Sequence, residues 1–256
     1  MKRIVLVVNI LLLLFTGSRI RAQDFVTKGK IYYEKKDNMR KQFARSNAQL
    51  PNGMVFPESV ISFFELTFSG ERALYKAGKE ETRLSEEMDG QDVSFGKNPN
   101  IMYSHYGKGE RVVKKQIIQE TLILEDSISP VQWKIEQETR SIAGYNCRKA
   151  IGRIFDTLYV VAFYAEELVI KGGPEGFSGL PGMILQLAIP RLSSVWTATK
   201  IELAEVDESE VAPPTTKGKR LTKAEQKAKL KKMATELGIA DPETFAKQVF
   251  ASWYFL

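Results

Sequence analysis

The stretch GGPEGFSGLPGMIL, residues 172–185, is the segment around which the rest of the chain is organised. It holds five of the eighteen glycines and two of the ten prolines, and an apolar run completes it. Clustered glycine allows positive φ angles and close approach of chains, whereas proline fixes φ and restricts the residue before it. Pro181-Gly182 therefore predicts a tight turn, from which residues 183–187 leave as a buried strand.

Two interpretations of this stretch are open. In the first it is a structural loop with the side chains of Phe177 and Leu180 turned inward. In the second it is a rigid rim for a ligand or partner, because binding residues concentrate on loops that a scaffold holds in place. The spacing fits neither GxxxxGK[ST] nor GxGxxG nor GxSxG, which argues against a phosphate-binding loop and a nucleophile elbow.

The N-terminus has the pattern of a secretory signal peptide. Lys2 and Arg3 precede an apolar run, residues 4–15, that is too short for a comfortable transmembrane span. We expect cleavage after Ala22, no transmembrane span in the mature chain and a periplasmic location, with possible association to the outer membrane. Removing residues 1–22 takes away four basic residues and no acid, which lowers the formal charge from +6 to +2. The remaining charge gives no argument for nucleic acid binding.

From residue 25 to residue 203 apolar residues recur with a period of two, which is typical of β-strands. The pattern predicts a mainly β (α+β) fold, a large curved antiparallel sheet forming a barrel or half-barrel, with C-terminal helices. We expect a signal peptide at 1–22, one β domain at 23–206, and a linker with two helices at 207–256. Residues 39–57 read as irregular and 77–100 as a long loop. The predicted strands cover residues 25–34, 60–68, 72–76, 101–106, 111–124, 133–136, 145–151, 154–165, 182–189 and 194–202.

The C-terminal fifty residues have a different composition, rich in lysine. Thr222 and Glu225 form a T-x-x-E capping box, which predicts a basic helix beginning at Lys223 and ending before Gly238. Asp241-Pro242 predicts a second helix. The basic helix either packs on the sheet with its lysines in solvent or binds anionic lipid headgroups.

Catalytic and metal-binding patterns are weak. His105 is the only histidine and Cys147 the only cysteine, which leaves too few ligands for a zinc site and forbids an internal disulfide. Cys147 lies in an alternating run and is most simply a buried apolar residue, although a reactive thiol or a dyad with His105 remains an alternative. We expect no enzyme activity, no cofactor and no metal.

Two blocks of sequence form a specific pair. The first runs from Trp133-Lys134-Ile135 to a G-Y-x-C segment at residues 144–147, and the second contains Gly-Leu-Pro-Gly-Met-Ile at residues 179–184. In this order they resemble the GLPGLI family. The resemblance covers residues 25 to about 205, with Met183 where the family usually has leucine. The resemblance implies an exported bacterial envelope protein with a fold similar to LolA-like half-barrels, and it carries no catalytic residues.

These observations favour a non-enzymatic envelope protein that binds a lipid or peptide on the concave face of the sheet. One alternative is an interaction subunit of an outer-membrane complex, such as one with a TonB-dependent transporter, and a second is an envelope hydrolase that uses Cys147. The candidate contact residues are aromatic or apolar and lie near the two motif blocks: Phe177, Leu180, Pro181, Met183, Trp133, Tyr145 and Tyr164. The residues expected to shape the motif are Gly173, Pro174, Gly179, Gly182 and Cys147.

Overall fold

The computed structural model describes residues 27–46, 57–85, 99–117, 120–154, 158–215, 218–236, 238 and 241–243. Within these ranges thirteen strands and two α-helices are present. The strands are β1 (Lys28–Asn38), β2 (Ser59–Ser69), β3 (Arg72–Ala77), β4 (Arg83–Leu84), β5 (Ile101–His105), β6 (Glu110–Ile117), β7 (Glu120–Ser127), β8 (Gln132–Ile142), β9 (Tyr145–Ile154), β10 (Leu158–Ala165), β11 (Met183–Ile189), β12 (Ser194–Leu203) and β13 (Lys219–Leu221). The helices are α1 (Met39–Ser46) and α2 (Lys223–Glu236).

All of these strands belong to one sheet, which confirms the mainly β prediction. Their order is β13, β7, β6, β5, β3, β2, β1, β12, β11, β10, β9, β8, with β4 paired to β2. Among the described strands the pairing is antiparallel except where β13 joins β7 in parallel. The two ends of this order, β8 and β13, do not pair with each other, so the sheet is open rather than closed into a barrel.

Irregularities of register help the sheet to curve. Shifts occur between Tyr32 and Tyr33 in β1, between Phe163 and Tyr164 in β10, and between Ile135 and Thr139 in β8. An extra residue in one strand bends it and increases the local right-handed twist. Residues of most strands contribute to one buried core cluster.

The sheet interior is strongly aromatic. The rings of Phe64 and Tyr75 stack at 5.1 Å between centroids, and Tyr33 meets Tyr75 edge to face at 6.4 Å. Trp196 is fully buried in the same core. These residues occupy inward positions of β1, β2, β3 and β12, so the period-two pattern of the sequence supplies one face of this core.

Two local predictions were wrong. Residues 111–124, expected as one strand, form the hairpin of β6 and β7. The stretch from residue 39, expected to be irregular, begins with α1. Asn38 caps α1, since its side-chain oxygen accepts a hydrogen bond of 2.8 Å from the backbone N–H of Lys41. The side chain of Arg45 holds the helix against the turn after β11 by donating to the carbonyl oxygen of Pro190 at 2.9 Å.

A 3-10 turn, Glu208–Val211, packs on the outer face of the sheet beside β2 and β3, and Val211 is fully buried there. Lys30 and Glu210 form an ion pair at 2.5 Å, and Arg72 pairs with Glu208. The segment that was expected to be a linker at the start of residues 207–256 therefore packs against the β domain in this structure.

The predicted capping box of α2 is confirmed. The backbone N–H of Thr222 donates to the Glu225 carboxylate at 2.8 Å, and the Glu225 N–H donates to the Thr222 hydroxyl at 3.3 Å. Leu230 and Ala234 bury one side of the helix, which lies against β7 and β13. Gly238 follows with a φ of 70°. Beyond Glu243, the second predicted helix lies outside the described residues. None of the described helices has the length and apolar character that a membrane span needs.

Candidate functional site

The glycine-rich loop, residues 172–182, is largely buried and packs against strands from both parts of the sheet order. A short 3-10 turn, Pro174–Gly176, contacts β3 and β5 on one side and β11 on the other. Glu175 within it has left-handed backbone angles, φ 57° and ψ 21°. Such a conformation is costly for a residue with a side chain and persists only where the surroundings enforce it.

Close packing explains two of the glycines. A Cβ at Gly173 would lie 2.6 Å from Cβ of Ile184. At Gly182 a Cβ would lie 2.7 Å from the carbonyl carbon of Ala165 and closer still to its oxygen. Real Cβ atoms essentially never approach that closely, so the loop needs glycine at both positions to sit against β10 and β11.

Three hydrogen bonds hold the loop and the start of β11 to the sheet. The indole N–H of Trp196 donates to the Glu175 carboxylate at 3.1 Å, and that of Trp133 donates to the carbonyl oxygen of Ser178 at 2.9 Å. The hydroxyl of Tyr33 donates to the carbonyl oxygen of Ile184 at 2.7 Å. The two sequence blocks that were recognised separately are thus in direct contact, because Trp133 of the first holds the loop of the second.

A polar cluster surrounds the buried Glu175. Burial lowers the pKa of Lys115 to about 8, and the nearby Glu175 carboxylate opposes that decrease. Burial also raises the pKa of Tyr75 well above its ordinary value, and Glu175 adds to the increase. Arg111, also on β6, forms an ion pair with Asp126, with 3.5 Å between Nη2 and Oδ2. These interior charges balance one another, as buried ionised groups require.

The structure distributes the predicted contact residues between the core and its margin. The side chains of Phe177, Leu180, Met183 and Tyr164 are buried. For Phe177 and Leu180 this is the orientation that the structural interpretation of the loop expects. Trp133 and Tyr145 are half-buried, and Pro181 is exposed. The structural set, Gly173, Pro174, Gly179, Gly182 and Cys147, lies within or beside the loop and its supporting strands, and Gly179 lies against the Trp133 ring.

Cys147 and His105 are separated in the sheet. Cys147 lies on β9 and His105 on β5, with six strands between them in the sheet order. Burial raises the pKa of the Cys147 thiol to about 11, so the thiol is protonated at neutral pH. Nδ1 of His105 accepts a 3.4 Å hydrogen bond from the backbone N–H of Lys108. Nowhere in the described part of the chain do three or more potential metal ligands come together.

The outer face of the sheet carries a feature that sequence reasoning missed. Registers of five successive strand pairs align Lys134, Ile151, Val161, Ala188, Val195 and Lys36 in one row across β8, β9, β10, β11, β12 and β1. We call the four central apolar residues, Ile151, Val161, Ala188 and Val195, the outer strip. The inward neighbours on the same strands, Ala150, Ala162, Leu187 and Trp196, are fully buried, which places the strip on the opposite, solvent-facing side.

The outer strip is accessible and narrow. Val195 is 37% exposed and the other three residues are partly exposed. The next row on one side contains Lys149, Phe163, Gln186 and Thr197. Phe163 is buried beneath the guanidinium of Arg140, which lies 3.7 Å from its ring centroid, and Gln186 donates a 2.9 Å hydrogen bond to the Thr197 hydroxyl. The sequence does contain these apolar residues at outward positions of neighbouring strands. Only the register of the strand pairs, however, shows that they form one row.

Comparison with known proteins identifies a family. Residues 97–227 match the sequence profile of the family described as N-glycanase peptide, N-terminal domain. No curated protein sequence matches the chain significantly. Two crystal forms of PNGF-II resemble 77% of this chain, with 17% identity and a TM-score of 0.49 for the P21 form and 18% and 0.46 for the C2 form.

The chain spans about a third of the length of PNGF-II, 32% and 31% in the two forms. An uncharacterised conserved protein from Thermus thermophilus is similar over 77% of this chain and 91% of its own, with 8% identity and a TM-score of 0.41. Because the profile match covers just over half of the 256 residues, the chain belongs to the family described as N-glycanase peptide, N-terminal domain.

Proposed function

We propose that this chain is a non-enzymatic, exported interaction subunit of the cell envelope, which binds a protein partner rather than a small apolar ligand. The observation that carries the proposal is the glycine-rich loop, whose side chains Phe177 and Leu180 are buried in the core against the sheet. The sequence features of a signal peptide and the resemblance to GLPGLI proteins support export and an envelope location.

The tethered loop makes the interior difficult to open. Exposing Phe177 and Leu180 would cost roughly 1.5–3 kcal/mol each, and the three hydrogen bonds of the loop and β11 about 0.5–1.5 kcal/mol each. The combined cost, on the order of 5–10 kcal/mol, is comparable to the full free energy of micromolar binding, about 8 kcal/mol. A lipid or peptide on the concave face would have to overcome this cost before it gained any affinity.

The state of Cys147 supports a non-enzymatic role. A nucleophilic cysteine needs a thiolate and a base within hydrogen-bond reach. Burial raises the pKa of the Cys147 thiol to about 11, and the described hydrogen bond of its Sγ is to the carbonyl oxygen of Tyr145 at 3.6 Å. These conditions favour the packing role of Cys147 over the hydrolase alternative.

The family description also favours a subunit role. It refers to an N-terminal domain, which is one part of a larger protein. We infer a similar role as one part of a larger assembly for this chain.

Native mass spectrometry of the mature protein, purified from its own periplasm, tests the proposal. We expect the bare mass of the polypeptide and no saturable displacement of a fluorescent fatty acid. A Trp133→Phe, Trp196→Phe double variant, in which two loop tethers are removed, is the matched control for whether loop release creates a ligand site. A stoichiometric adduct of lipid mass on the wild-type protein would overturn the proposal in favour of a lipid carrier.

A further inference from the structure

We infer that the outer strip is a docking site for an amphipathic helix of the protein partner, with acidic residues flanking the apolar side of that helix. The inference rests on the proposed function and adds the surface and the chemistry of the partner. The strip defined above and the two lysines at its ends, Lys134 and Lys36, are its basis.

The dimensions of the row fit a helix. Adjacent strands lie about 4.8 Å apart, so the strip from Ile151 to Val195 is about 14 Å long, and Lys134 and Lys36 are about 24 Å apart. A helix rises about 1.5 Å per residue, so about ten residues cover the apolar part and about sixteen reach both lysines. Apolar side chains at i, i+3 or i+4, and i+7 form a stripe of that length.

The face of a sheet favours a helix over an extended peptide. Backbone N–H and C=O groups of the strands are used within the sheet, so the face presents side chains and offers no ladder to a new strand. An extended segment laid across it would lose water from backbone groups without gaining partners. A helix satisfies its own backbone hydrogen bonds and needs only the apolar contact.

The narrowness of the strip argues against a membrane as the partner. Residues on the same face of a strand repeat at about 7 Å. On one side the exposed groups of the next row are polar, because Lys149 is in an ion pair with Glu138 at 2.5 Å and the Arg140 guanidinium covers the buried ring of Phe163. On the other side lie Arg153 and Tyr159, the latter 60% exposed. One apolar row, flanked on both sides by charged side chains such as Lys149 and Arg153, matches the stripe of a helix better than the broad apolar plane of a bilayer.

The two lysines at the ends of the strip favour a partner helix with acidic flanks. Lys36 is exposed, and no ion pair to a described residue engages it. Lys134 is also exposed and holds Glu136 at 2.9 Å on its own strand. A second copy of this chain would bring lysine against lysine at the ends of the strip, which is unfavourable. Carboxylates on the partner complement both ends, and the Lys36 end offers the stronger contact.

Site-specific photo-crosslinking in the native cells tests the inference. A photoreactive phenylalanine derivative is placed in the full chain at Val195 and, as the matched control, at Leu203, which is an exposed apolar residue on the same strand. We expect a cross-link to one protein from position 195 and none from position 203, with the linked segment amphipathic and acidic at its flanks. A synthetic peptide of that segment then measures affinity for the purified protein. Val195→Arg should lower the affinity for this peptide by more than about tenfold, and Lys36→Glu should lower it by about fivefold. The effect of Lys36→Glu should be larger at low salt, because salt screens the charge interaction.

The contrary outcomes separate the two levels of the proposal. A protein cross-linked only from Leu203, or a linked segment without acidic flanks, would overturn the helix-docking inference and leave the interaction role intact. Phospholipid cross-linked at Val195 would overturn the inference in favour of a membrane contact. No cross-link from either position, together with a lipid adduct on the purified protein, would overturn the proposed function as well.

Discussion

Substitution of Gly182 by alanine should destabilise the protein strongly, because its neighbour is backbone rather than a movable side chain. To reach ordinary van der Waals contact with a new Cβ, the carbonyl carbon of Ala165 would have to retreat from 2.7 Å to at least 3.4 Å. Cα of Glu166 stands in the same direction at 3.0 Å. Overpacking of this kind typically costs about 1–3 kcal/mol, and we expect about 3 kcal/mol here because β10 and β11 are both buried on the loop side.

Gly70→Ala is the matched control for this prediction. Gly70 also lies at a turn, between β2 and β3, but no heavy atom stands within 4 Å of the position that its Cβ would take. Its φ of 56° leaves only the cost of a left-handed alanine, about 1 kcal/mol. The two variants therefore separate steric exclusion from backbone strain.

Thermal and urea unfolding followed by circular dichroism measure both variants. For a domain of this size 1 kcal/mol corresponds to about 2–4 °C in Tm, so we expect Tm to fall by about 6–12 °C in Gly182→Ala and by about 2–4 °C in Gly70→Ala. Equal decreases in the two variants would refute the close packing of the loop against β10.

Three further measurements address the interior. A double-mutant cycle of Trp196→Phe and Glu175→Gln should give a coupling of about 1.5–3 kcal/mol in unfolding free energy, since their hydrogen bond involves a charged acceptor; additive effects would contradict it. The pKa of Lys115 is about 8 in the folded protein, against the ordinary lysine value of 10.5 in the unfolded chain, so the unfolded chain binds more protons between these values. The free-energy cost of burying the charged Lys115 is full below pH 8 and declines as the pH rises toward 10.5. The wild-type protein should therefore gain stability relative to Lys115→Met between about pH 8 and pH 9.5. Parallel curves of unfolding free energy against pH for the two proteins would contradict this prediction. Cys147, with a pKa of about 11, should react with iodoacetamide at about pH 8 far more slowly in the folded protein than in urea, and equal rates would show that the thiol is accessible.

Several elements were predictable because local sequence and tertiary environment agree. Residues 60–68, VISFFELTF, are rich in β-branched and aromatic residues, which favour strands, and they form most of β2. The Thr222–Glu225 capping box fixes the start of α2 by hydrogen bonds between groups three residues apart. In both cases the deciding interactions are short-range or periodic, which is the information that a single sequence carries.

Other features depend on contacts that a single sequence does not contain. The hairpin between β6 and β7 was missed because the sequence between them, Ile118-Gln119, contains none of the usual residues of a two-residue turn. The role of Glu175 was missed because its partner Trp196 is twenty-one residues away and reaches it only through the curvature of the sheet. The outer strip required the registers of five strand pairs, which no periodicity within one strand can supply.

The central position of β1 sets the order in which this chain can fold. Ile31 lies opposite Leu66 on one side and opposite Ile201 on the other, so the N-terminal strand is completed only by a strand that leaves the ribosome 170 residues later. Closing so long a loop before its contacts are gained slows folding. The hairpins β2–β3 and β8–β9 can form early and locally, whereas the joining of the two halves at β1 must come late.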